Sequence, residues 1–89
     1  MEVNLKMRDH IFGIIKNQMK SNDPPETKQT YNRLKKMGYS DFVTKQLIGQ
    51  CIAVELYNIM KFQESFNDER YLENLKNLPE EPFDDEEEE

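Results

Sequence analysis

An all-α fold, a small four-helix bundle built around a long third helix, is what this sequence predicts, and three observations carry the prediction. Apolar residues recur at helical spacing along nearly the whole chain up to Leu78. Helix start and stop signals fall in matched sets at three junctions. With only three Gly in 89 residues, the turn chemistry that hairpins require is scarce.

The first helix is expected over about residues 4–20, with Met7, Ile11, Ile14 and Ile15 on one face and Phe12 and Met19 at its edge. The second is expected over 24–37. There Asp23 stands as N-cap, Pro24 at the first helical position and Glu26 where a capping box wants an acid. Gly38 ends it, since glycine alone enters the left-handed region freely, and Tyr39 can fold back on Leu34 in a Schellman motif. Ser40 then caps the third helix at once, with Asp41 in its electropositive first turn.

That third helix is expected over 41–62. Its middle is apolar almost all round (Leu47, Ile48, Cys51, Ile52, Ala53, Val54, Leu56, Tyr57, Ile59 and Met60), as suits a helix packed from several sides. A fourth helix follows over 68–78. Asn67 is its N-cap, Phe66 and Tyr71 stand at the positions of a hydrophobic staple, and Pro79 stops it. Residues 1–79 therefore form one domain, with roughly 75 foldable residues and about 3–5 kcal/mol of net stability to expect from one core. A homodimer would be one way to add to that.

Residues 80–89 hold eight acids and no base, and only Phe83 is apolar past Pro79, so a disordered acidic tail is expected. The other 79 residues carry ten acids and twelve bases, which makes a body of about +2 within a chain of formal net charge −6. One cysteine makes no internal disulfide and fits a reducing compartment. The opening Met1 to Lys6 has no signal-peptide apolar run, and no apolar stretch is long enough for a bilayer. A cytoplasmic, non-membrane protein is expected.

Two polar residues break the helical pattern. Gln18 falls at the centre of the first helix's apolar arc and Glu55 does the same on the third. Burying either alone would cost a few kcal/mol, and an ionised Glu55 more. They are expected to satisfy each other, or to bond to the hydroxyl of Tyr31, Tyr57 or Tyr71. The functional alternative makes them a pocket floor, with His10 at the margin of the first helix's apolar face. A hydrolase built on Glu55 and His10 would need both in one pocket and a nucleophile that nothing nominates.

Cys51 is expected in the core, as a small hydrophobe. One His and one Cys supply too few ligands for zinc, and the tail lacks the spaced ligands of a calcium loop. No glycine-rich phosphate loop is present, so no cofactor and no catalytic or metal residue is expected. The basic stretch Lys28, Arg33, Lys35 and Lys36, with Lys16 and Lys20 nearby, reads as a solvated face that the tail can screen, and nucleic acid is not the expected partner.

Residues Leu34-Lys35-Lys36-Met37-Gly38-Tyr39-Ser40 resemble the Leu-x-x-Met-Gly-Phe/Tyr loop of ubiquitin-associated domains, where that loop helps to bind ubiquitin. Such domains break after a short second helix, whereas 41–62 holds no breaker but Gly49. The seven-residue likeness is read as helix-stop chemistry. A wider pattern (His10, Gln18, Pro24-Pro25, Arg33-Leu34, Gly38, and Tyr71 with Leu75) resembles bacterial helical domains of unknown function, sometimes found beside SEC-C-type metal-binding segments. That resemblance implies the helical layout and a bacterial source, and no activity. Many such domains carry further His early in the long helix, where this chain has Asp41 to Gln46, so no metal role is carried over.

The expectation is a non-enzymatic protein-interaction or regulatory module. The groove between the first and third helices would be its default partner site, and Tyr39 and Phe42 its exposed anchors. The alternative is an acidic charge-mimicking inhibitor of a nucleic-acid-binding enzyme, acting through the tail.

Overall fold

A computed structural model of the chain describes residues 5–80. The acidic tail expected over 80–89 lies, apart from Glu80, outside the described residues. Four helices follow one another, α1 (Leu5–Ser21), α2 (Pro25–Lys36), α3 (Asp41–Phe62) and α4 (Asp68–Asn77), and no strand occurs among the described residues. The long α3 touches all three others, α2 touches α1 and α4, and the core lies around its middle.

Two junctions follow the local chemistry read from the chain. At the end of α2, Gly38 takes φ +104°, its N–H reaches Lys35 O at 3.0 Å, and Tyr39 N–H reaches Leu34 O at 3.3 Å. Those two bonds define a Schellman stop. Ser40 then accepts Val43 N–H at 3.2 Å as the N-cap of α3. At the start of α4, Asn67 Oδ1 accepts Arg70 N–H at 3.0 Å, and the Phe66 and Tyr71 rings meet edge to face at 5.3 Å.

The start of α2 departs from expectation by one residue. Pro24, not Asp23, occupies the N-cap, so no side chain caps this helix and Pro25 takes its first position. Proline's missing N–H removes one of the four orphan donors there, so the loss of a side-chain acceptor is softened. At the other end of α3, Gln63 turns left-handed (φ 57°) and gives its N–H to Ile59 O.

α3 runs unbroken through Gly49. That glycine faces α1, and a Cβ built on it would lie 3.1 Å from Ile11 Cγ2. The buried apolar set is Ile11 and Ile15 of α1, Leu34 of α2, Ile48, Cys51, Ile52 and Ala53 of α3, Tyr71 and Leu75 of α4, and Leu78 just past it. Met7, Phe12, Ile14 and Met19 are only partly buried, packed at the edge of this set.

Candidate functional site

Both awkward polar groups are tied down, but not to each other. Glu55 is fully buried, and its partner is Arg70 across the α3–α4 loop. Arg70 Nε donates to Glu55 Oε2 at 2.6 Å and Nη2 to Oε1 at 3.1 Å, while Asn67 N–H donates to Oε1 at 2.9 Å. Neither Gln18 nor a tyrosine bonds to Glu55, which corrects the expectation for that residue, whereas Gln18 makes one of the expected tyrosine bonds, to Tyr71. The arrangement resembles a capping box worked from outside the helix. Ordinarily a Glu three residues into the helix reaches back to the N-cap N–H; here Arg70 holds that position, and Glu55 of α3 takes both the N–H and the arginine.

Gln18 is half-buried at the meeting of three helices. Its Oε1 accepts the Thr27 hydroxyl at 2.7 Å and the Tyr71 hydroxyl at 2.8 Å, and those two hydroxyls are 3.0 Å apart. Two hydroxyl protons serve the two lone pairs of one carbonyl oxygen, so the acceptor is saturated. Thr27 is fully buried, a position that its polar side chain does not advertise. Burial pushes the Tyr71 hydroxyl up to about 12, against a smaller lowering by the Thr27 bond. The knot joins α1, α2 and α4 and leaves no proton on offer in the working range.

The other candidates part company with these two. His10 is exposed on α1, whereas Glu55 is sealed against Arg70, so no shared pocket joins them. Cys51 is buried in α3, and desolvation, helped by the nearby Glu55 charge, pushes its thiol up to about 12. Tyr31, offered as a partner for Glu55, instead donates to Asp41 Oδ1 at 2.5 Å. That bond holds the Asp41 carboxyl below its usual range, with Lys45 at 3.3 Å adding to the effect. Among the described residues no group of three or more His, Cys, Asp or Glu could hold a metal ion.

The two expected anchors differ in exposure. Tyr39 is half-buried and packs against the core. Phe42 is 48% exposed, and its ring meets Phe12 edge to face at 5.9 Å while the Arg8 guanidinium lies over it at 5.6 Å. Met37 and Val43 are also exposed at this α2–α3 corner.

Where the groove between α1 and α3 is expected, Gly49 of α3 lies close against α1, and a Cβ there would stand 3.1 Å from Ile11 Cγ2 and 3.9 Å from Ile15 Cδ1. An open cleft of about 1010 Å³ runs between α2 and α4. Thr30 and Leu75 lie at its floor, with Glu26, Arg33, Glu73 and Lys76 around it. A smaller one of about 430 Å³ lies beneath the α1–α2 turn, beside Gln18, Phe66 and Tyr71.

Among the described residues no helix is long and apolar enough to cross a membrane. No family model, no curated protein and no solved structure matches the chain.

Proposed function

We propose that this chain is a non-enzymatic protein–protein interaction module, working at the α2–α3 corner in a reducing cytoplasm. The observation behind this reading is Phe42, a large aromatic side chain kept at the surface and already braced by Phe12 and Arg8. A pre-ordered aromatic loses little rotamer freedom on binding and supplies much of a small interface's energy. The groups that would do chemistry speak for the same reading. Glu55 is occupied by Arg70 and Asn67, Gln18 by two hydroxyls, and the Cys51 thiol stays protonated at neutral pH.

The test is a cross-linked capture from native cells with tagged wild type and Phe42→Asp, both checked for an unchanged helical spectrum and thermal midpoint. A partner held by wild type should be lost about tenfold or more by the variant, the equivalent of one anchor worth about 1.4 kcal/mol. A partner held equally by both proteins overturns the corner as the contact surface.

A second reading, an acidic charge-mimicking inhibitor of a nucleic-acid-binding enzyme, is favoured by the eight acids in residues 80–89 with no base among them. Removing residues 80–89 would abolish such inhibition and leave Phe42-dependent binding intact.

A further inference from the structure

The α2–α4 cleft has a polarity that neither reading above uses. The two helices run parallel. The Thr27 hydroxyl, near the start of α2, lies 3.0 Å from that of Tyr71 near the start of α4, and Arg33, towards the end of α2, bonds to the carbonyls of Leu75 and Leu78 at the end of α4. Glu26 and Glu69 accordingly lie towards one end of the cleft, beside an Arg70 whose charge Glu55 takes up, Glu73 lies between, and Arg33 and Lys76 lie towards the other end. Lys36, one turn beyond Arg33 and exposed, extends the basic end.

Among the described residues no carboxylate pairs with Arg33, Lys36 or Lys76. Arg33 spends its donors on neutral carbonyls, so its charge is left without a counter-ion. Beside this end the chain turns at Glu80, whose N–H reaches Asn77 O at 3.0 Å, and continues into residues 81–89.

We propose that the acidic segment 80–89 is the occupant of this basic end, with its carboxylates engaging Arg33, Lys36 and Lys76. Reach does not select the site: nine residues at about 3.3 Å each can span about 30 Å, close to the 34 Å longest extent of the molecule. Charge selects it. Three cations without a carboxylate stand where a run of eight acids leaves the fold, while the acid-lined end of the same cleft repels that run. The contact is solvent-exposed, so salt weakens it, and an acidic partner must displace the chain's own segment to use this end of the cleft.

The test uses the full chain and a zero-length carbodiimide, which joins carboxylates to lysines only when they touch. Lys36 is the informative residue, because Lys76 is too close to Glu80 in sequence to escape tethering. At about 20 mM salt, intramolecular links from residues 80–89 to Lys36 should exceed those to exposed Lys16 of α1 by about fivefold, and the ratio should fall towards one at about 500 mM. A Lys36→Glu, Lys76→Glu double variant changes only exposed side chains. In it the amide resonances of residues 81–89 should lose most of their salt dependence. Equal linking to Lys16 and Lys36, links found only between two molecules, or tail resonances unchanged by the double variant would each overturn the proposal. None of these outcomes bears on Phe42, so the two surfaces fail separately.

Discussion

Glu55 and Arg70 meet as a two-point ion pair across the α3–α4 loop, at 2.6 and 3.1 Å, with the carboxylate fully buried and the arginine side chain 10% exposed. The same carboxylate caps the first N–H of α4's turn through Asn67. Removing one partner strands a charge in a dry site, a loss of about 3–5 kcal/mol. A core of this size supplies about as much in total, so Glu55→Ala should be largely unfolded at room temperature. A Glu55→Leu, Arg70→Leu double variant should lose less than the single Glu55→Ala, because nothing charged is left behind. Urea unfolding followed by circular dichroism checks both, and a Glu55→Ala midpoint close to wild type would contradict the sealed pair.

Alkali should unfold the protein earlier than its surface charge suggests. Cys51 and Tyr71 are neutral acids whose folded values are both raised to about 12, chiefly by burial, from ordinary values of 9.0 and 10.0. The fold favours their protonated forms. The stability they contribute is therefore complete below about pH 9 and drains away as pH climbs from there towards 12. The urea midpoint should be flat between about pH 7 and 8.5 and then fall. The thiol should react with a disulfide reagent at about pH 8 only after denaturant is added. Fast labelling of the native protein would show the thiol to be open.

What the sequence made legible was what its neighbours decide. Gly38, Ser40, Asn67 and the Phe66–Tyr71 staple are settled within a few residues, and each takes the expected geometry. Tyr39 follows the same logic in its backbone, whose N–H returns to Leu34 O in the helix stop, while its side chain packs half-buried against the core. Arg70 was missed because it lies fifteen residues from Glu55 and belongs to the polar side of α4 when that helix is viewed alone. A signal was present, since a buried acid in α3 needs a base and Arg70 is the first arginine after the helix ends. Thr27 carries no such signal, because only the crossing of α1, α2 and α4 buries it.

Two glycines in mid-helix should respond oppositely to alanine. At Gly13 an added Cβ meets nothing within 4 Å, so the variant should gain the propensity difference of about 1 kcal/mol. At Gly49 the same methyl presses at 3.1 Å on Ile11 Cγ2, which is fixed directly to a buried branched carbon and has no torsion of its own to yield. Overpacking of about 1–3 kcal/mol then offsets or exceeds the propensity gain, so Gly49→Ala should be neutral to destabilised. Thermal midpoints should therefore rise for Gly13→Ala and not for Gly49→Ala. Equal gains would mean that α1 and α3 are less closely packed than described.

Arg33 fastens the end of α4 to α2. Its Nη1 donates to Leu78 O at 2.9 Å and its Nη2 to Leu75 O at 3.0 Å and, more weakly, to Lys76 O at 3.4 Å. Leu75 O also accepts Leu78 N–H at 3.2 Å, so Arg33 adds a second donor there and supplies one to Leu78 O just past the helix, where no glycine stop follows α4. A planar fork can reach two carbonyls at once where an ammonium cannot. Arg33→Lys should therefore lose most of what Arg33→Met loses, about 1.5–3 kcal/mol for charged hydrogen bonds of this kind, and less where water takes over at the exposed rim. The loss should be local. Amide exchange at Leu75 to Leu78 should speed up in both variants while protection at Ile48 and Ile52 of α3 falls only with global stability. Uniform loss across the bundle, or full rescue by lysine, would assign Arg33 a different role.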